Sequence, residues 1–161
     1  MQRFVALLDE QLSELSAHAS DAAICVPSLS KWSIGQHIEH TLIAISGMIL
    51  ALKKEHPGTG TGSRAPNEYR DLVMSTKSFP RGVVEAPDMS RPSDSPSQQF
   101  LERLILKTRN RVGSPLDISP KSTLIHPIMD VMMRDEAIEF MTIHTAHHLV
   151  IIREISEAAR S

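Results

Sequence analysis

A single cysteine, Cys25, stands in a chain of 161 residues, so no disulfide can form within the chain and packing alone must hold the fold. Cys25 itself is expected to be a small buried residue rather than a nucleophile. Aromatic residues are scarce too, at 4% with one Trp and one Tyr, which leaves an aliphatic core of Leu, Ile, Val and Met. No cluster of Lys and Arg stands out, and the formal net charge is −2 with histidines neutral. Nucleic acids and anionic membranes both select a basic face, so neither is an expected partner. Apolar runs of membrane-spanning length are missing as well. Met1-Gln2-Arg3-Phe4 leads directly into a helical pattern, not into a signal-peptide core, and a cytoplasmic location is expected. The length suits one domain over residues 1–161 and is short for two.

Against these absences, eight histidines are conspicuous. Five of them fall in two clusters, His37 with His40 and His144 with His147 and His148. The surrounding pattern is helical. Phe4, Val5, Leu8, Leu12 and Leu15 mark an amphipathic helix over about 2–19, followed by a connection over 20–32. Ser33 with Gln36 forms a capping-box signature for a helix running to about Lys54. That helix is apolar nearly all round and reads as the central one. His40, Ala44, Gly47 and Ala51 share a line on it where a neighbouring helix is expected to approach closely. Ile43 and Leu50 lie outside both lines and point to a homodimer contact.

Gly58-Thr59-Gly60-Thr61-Gly62-Ser63 reads as a surface loop and 67–76 as a short helix. Four prolines and Gly82 from Phe79 to Pro96 impose an extended crossing segment. A helix over about 96–113 follows, then an irregular passage through Pro115, Pro120 and Pro127, then a last helix over about 134–158. No strand pair is expected. The fold class is all-α, a four-helix bundle with long crossover connections.

On the last helix, Ala137, Met141, Ile151, Ile152 and Ile155 define an apolar face, with Glu139, Thr142, Arg153 and Glu157 opposite. His144 and His148 fall in the middle of the apolar face, roughly 40° apart, and His147 lies at its edge. Two buried imidazoles one turn apart are costly unless their nitrogens are satisfied. An i, i+4 pair aimed at one spot is how a helix chelates a metal, and hydrogen bonding to carbonyls or to each other is the alternative. His40, on the small-residue line, is the candidate third ligand; His37 reads as a core histidine or one that orients a ligand.

Trp32-Ser33-Ile34-Gly35-Gln36-His37-Ile38-Glu39-His40, then His126-Pro127-Ile128-Met129, then His144-Thr145-Ala146-His147-His148 resemble in order and spacing the motifs of the DinB-like (YfiT-like, damage-inducible) metalloprotein superfamily. Pro80-Arg81-Gly82-Val83-Val84-Glu85-Ala86-Pro87 is similar to a connecting segment in one branch of it. The segment after His126-Pro127 departs from the family's glycine-containing loop. The resemblance implies a four-helix bundle holding a divalent metal on His40, His144 and His148.

Three neutral imidazoles leave an ion its full charge and an open position, the layout of a catalytic site, and zinc and nickel both suit imidazole. No glutamate lies between His144 and His148, so the built-in base of the zincin helix is missing. Glu139 and Glu39 are both expected to point away from the ligands. The resemblance implies a metal-dependent transferase that adds a low-molecular-weight thiol to a small electrophile, since the family includes thiol-dependent transferases and isomerases. A metal-dependent small-molecule hydrolase and a non-enzymatic metal- or ligand-binding stress protein are the other readings. Trp32 is expected to anchor the helix start or line the site, His126 and His147 to orient ligands or serve packing, and Arg81 to meet an anionic substrate or solvent.

Overall fold

The computed structural model describes residues 2–54, 66–113 and 117–161; the expected Gly58–Ser63 loop and Pro115 lie outside them. Over these residues the chain is predominantly helical, with α1 (Gln2–Ala17), α2 (Ile34–Lys53), α3 (Glu68–Thr76), α4 (Gln98–Val112) and α5 (Arg134–Ala158). No helix among the described residues is long and apolar enough to cross a membrane.

Each long helix forms where the local chemistry allows it. α2 opens with a complete capping box: the Gln36 amide donates to Ser33 Oγ at 3.2 Å, and the Ser33 amide donates to Gln36 Oε1 at 2.9 Å. Ser97 caps α4 through the Phe100 amide. α5 has no side-chain cap but carries Asp135 and Glu136 in its first turn, where their charge suits the helix dipole. α1 packs on α4 and α5, and α2 packs on the same two helices. Between them Leu8, Leu12, Leu15, Ile34, Ile38, Leu42, Ile45, Ile152 and Ile155 are fully buried, giving the aliphatic core that the shortage of aromatics requires. Polar ties cross it: Gln11 Nε2 donates to the Thr142 carbonyl at 3.0 Å, and Ser46 Oγ meets Thr108 Oγ1 at 3.1 Å.

Several expectations are corrected. A strand pair exists: β1 (Thr123–His126) and β2 (Asp130–Met133) form an antiparallel hairpin with Leu124 opposite Met132. Pro127 sits in its turn, and Asp130 closes it at φ 61°, a left-handed conformation that Asp tolerates. Thr142 is buried, because α5 turns that side toward α1. Cys25 is exposed, since the 20–32 connection runs over the surface. Ile43 faces a cavity, so of the two residues behind the expected dimer contact only Leu50, 44% exposed, lies on the outside. Ala44, Gly47 and Ala51 form the floor of that same cavity, and among the described residues nothing lies within 4 Å of a Cβ placed on Gly47.

Two glycines of α2 show the contrast. A Cβ on Gly35 would lie 2.9 Å from both the Ala22 carbonyl oxygen and the Ala22 Cβ, whereas a Cβ on Gly47 would meet nothing within 4 Å. Gly35→Ala is therefore expected to destabilise the protein by about 1–3 kcal/mol, and Gly47→Ala to stabilise it by about 0.5–1 kcal/mol. Denaturant unfolding of the two variants checks both signs.

Candidate metal centre

The first turns of α2 and the middle of α5 face each other, and each supplies histidines to one cluster. His40 Nε2 lies 3.1 Å from His144 Nε2, and His148 Nε2 lies 3.2 Å from the same atom. One ligand atom from each of these three residues falls within 4.8 Å of the others. The structure thus brings together all three residues expected to be ligands. A tetrahedral zinc site with Zn–N bonds near 2.05 Å places its ligand nitrogens about 3.3 Å apart, close to the spacing seen here.

The outer nitrogens show which atoms are available. His40 Nδ1 is 2.7 Å from the Ser90 carbonyl oxygen. A carbonyl only accepts, so the proton of neutral His40 sits on Nδ1 and its Nε2 lone pair is bare. His148 Nδ1 is 3.0 Å from His37 Nδ1, and His37 Nε2 is 2.8 Å from Ser30 Oγ. With His37 donating to Ser30, it accepts from His148, and the His148 Nε2 is bare as well. His144 Nδ1 is buried and has no partner among the described residues, so its tautomer is set by what lies at Nε2. No arrangement of neutral tautomers turns both Nε2 contacts into good hydrogen bonds, since bare His40 and His148 both need the one hydrogen His144 can offer. A divalent cation satisfies all three lone pairs. The donor set fits a metal.

Sequence reasoning did not foresee this supporting shell. Ser90 belongs to the Pro-rich crossing segment and Ser30 to the 20–32 connection, and both positions are visible only once the chain is folded. Glu39 points away from the ligands as expected, and its carboxylate accepts from the Ser93 amide at 2.9 Å and Ser93 Oγ at 2.7 Å. Gln36 Nε2 donates to the Ser93 carbonyl at 3.2 Å. Three residues of the α2 N-terminus therefore pin the crossing segment beside the site. Glu139 is engaged by Lys77 at 2.6 Å. Arg81 is held by Glu154 in a bidentate pair at 2.7 and 2.9 Å, which takes it away from the anionic-substrate role. Trp32 does more than anchor a helix: its ring lies 5.0 Å from His40 and 5.3 Å from His37 by centroid, and it lines the cavity.

The cluster stands in the wall of a cavity of about 470 Å³, closed by the crossing segment, the β1–β2 hairpin and the Ala44–Gly47–Ala51 floor. His126 and His147 both line it. His126 Nδ1 accepts the Ile128 and Met129 amides at 3.2 and 3.1 Å, so the neutral ring carries its proton on Nε2. The structure thus gives His126 a definite role, holding the hairpin turn, and makes it a fixed donor in the cavity wall.

Burial depresses every one of these imidazoles. Desolvation pushes His37 down to about 3 and His126 to about 4. His144 and His148 lie well below the usual range through burial and then through their imidazole neighbours. His40 is lowered by burial, partly offset by its bond to Ser90.

No family model matches the chain, and no curated protein or solved structure matches it either.

The depressed values fix a sign. The folded state keeps these histidines neutral while the unfolded chain protonates them near pH 6.5, so folding loses stability as pH falls below that value and none of this loss occurs above it. The thermal midpoint of metal-free protein is expected to drop steadily between pH 7 and pH 5, above the range where carboxylates titrate. His126→Asn should flatten the slope. A midpoint constant over that interval contradicts the assignment.

Proposed function

We propose that the chain is a metal-dependent enzyme of the DinB-like kind, a four-helix bundle with crossover connections that binds zinc or nickel on His40, His144 and His148. The reaction proposed is transfer of a low-molecular-weight thiol onto a small electrophile. The observation that carries this reading is the convergence of three Nε2 atoms, that of His40 with its lone pair left bare by the Ser90 bond, on one wall of a ligand-sized cavity. A divalent ion on three neutral imidazoles lowers the pKa of a thiol or water placed beside it and so supplies a nucleophile at neutral pH. The chain's own residues do the rest. Ser90 and the His37–Ser30 relay hold two ligand rings in orientation. Trp32 and the apolar side chains beside it make the surroundings of the cluster largely apolar.

Neither Glu39 nor Glu139 lines the cavity, and their carboxylates are bound to Ser93 and to Lys77. That supports a reaction needing no base from these two carboxylates. A thiolate sulfur forms its bond to an electrophilic carbon. In a displacement the leaving group departs to solvent with the pair of the broken bond, and in an addition the pair of the opened double bond stays on the adduct and takes a proton from solvent.

One observation favours hydrolysis as a second reading. His126 is locked as an Nε2–H donor in the cavity wall, and a fixed donor of that kind stabilises a developing oxyanion.

Elemental analysis of protein expressed with zinc and nickel supplied tests the metal. About one ion per chain is expected in the wild type, and less than roughly a tenth of that in His144→Ala or His148→Ala, because two imidazoles hold the ion far more weakly than three. Metal-free wild type defeats the proposal. Loaded protein should then accelerate addition of simple thiols to electrophiles at least about tenfold over the metal-free form, with His148→Ala inactive. Ester hydrolysis without thiol turnover would favour the second reading.

A further inference from the structure

The cavity has a composition that restricts what enters it. Its floor is Ala44, Gly47 and Ala51, and its walls include Phe79, Leu124 and Phe140. Among the described residues no Lys or Arg lines it, and Glu85 is its one carboxylate. Arg81 and Arg91, the cations of the segment that borders the cavity, are paired with Glu154 and Asp88. The mouth continues the same chemistry outward, since two lining residues, Met89 and Ile125, are 77% and 69% exposed. Apolar side chains so exposed at the rim of an apolar cavity are the ordinary mark of a site that takes an apolar ligand. An anionic ligand body would lose its hydration here and gain no counter-charge from the described Lys or Arg side chains, none of which lines the walls.

We infer that this cavity binds the apolar, uncharged body of a small molecule, laid along the floor of α2 above Gly47, with its reacting end toward the histidine wall. The substrate class is thus a compact neutral hydrocarbon-rich electrophile rather than an anionic or zwitterionic one. Gly47 determines its size. With nothing within 4 Å of a Cβ at that position, the glycine leaves room that any larger side chain would take from the ligand. The inference names the substrate class of the site proposed above and rests on that reading for its reactive end, while the fit of the apolar body depends on the cavity alone.

The test compares two fluorescent probes sharing one aromatic body, neutral N-phenyl-1-naphthylamine and anionic 8-anilinonaphthalene-1-sulfonate, titrated into the full chain both stripped of metal with a chelator and loaded with zinc. Metal-free protein should bind the neutral probe at least tenfold more tightly than the anionic one. Gly47→Leu should weaken neutral binding at least tenfold while keeping the wild-type circular dichroism and a thermal midpoint no lower than wild type. Gly47→Ala, with one added methyl group, should change binding less than threefold. Equal binding of the two probes to metal-free protein, no binding of the neutral one, or unchanged neutral binding in Gly47→Leu each overturns the inference. Neutral-probe binding in a protein that takes up no zinc supports it while removing the metal reading, and zinc uptake without neutral-probe binding does the reverse.

Discussion

Three imidazole nitrogens brought within hydrogen-bonding distance inside an aliphatic shell form a frustrated arrangement, and the rest of the structure is organised around it. His40 cannot change its tautomer without losing the Ser90 carbonyl. The relay from His148 through His37 to Ser30 runs in one of two directions. If it runs outward, His148 presents a bare Nε2. If it runs inward, His148 presents a hydrogen, and His144 must be bare to accept it, which sets the His144 lone pair against that of His40. In either case one contact of the pair stays unsatisfied, and buried polar groups in that condition are costly. Protonation would relieve the lone pairs, but burial drives every one of these pKa values down. The site therefore refuses the proton that water would offer and keeps its lone pairs directed at one point.

Holding such a cluster together takes a rigid frame, and the helices supply it. α2 and α5 pack along each other and share α1 and α4 as flanking partners. Exposed ion pairs extend the frame: Arg153 to Glu14 ties α5 to α1, and Arg109 to Asp9 ties α4 to α1. Each contributes on the order of 0–1 kcal/mol, so the alignment comes chiefly from the buried aliphatic seams. The capping box at Ser33 sets where α2 begins, and with it the angular positions of His37 and His40.

How much of this was legible in the sequence differs from residue to residue. Helical periodicity placed His144 and His148 on one buried face without outside help, because an i, i+4 pair is a local property of one helix. His40 depended on a resemblance, since nothing local says which of two histidines on α2 meets a partner 104 positions away. Ser30 and Ser90 were unreadable for the same reason: a backbone carbonyl or hydroxyl in an irregular segment acquires a role only through tertiary contact. The hairpin escaped notice because its strands are four residues long and its turn is Pro127-Ile128-Met129 rather than an Asn-Gly type signal. Ala44, Gly47 and Ala51 were misread for an instructive reason. Small residues in a line permit close approach, and the pattern is identical whether a helix or a void occupies the other side.

The void also explains why the two irregular segments belong to the chemistry and not merely to the connections. The stretch from Phe79 to Ser93 lines the cavity through Val84, Ala86 and Met89, and the same stretch places the Ser90 carbonyl on His40. A molecule pressed against that wall therefore touches the segment that sets the His40 tautomer. Gln36 and Glu39 limit how far it can respond, because their bonds to Ser93 lie three residues from Ser90. The hairpin works in parallel: His126 spends one ring nitrogen holding the turn amides and faces the cavity with the other side committed to donating. Helices thus fix the three converging nitrogens, while the segments that could not be helical, through their prolines, shape what approaches them. Changes to the cavity that spare the histidine cluster belong in those segments, and changes that abolish the cluster belong in α2 and α5.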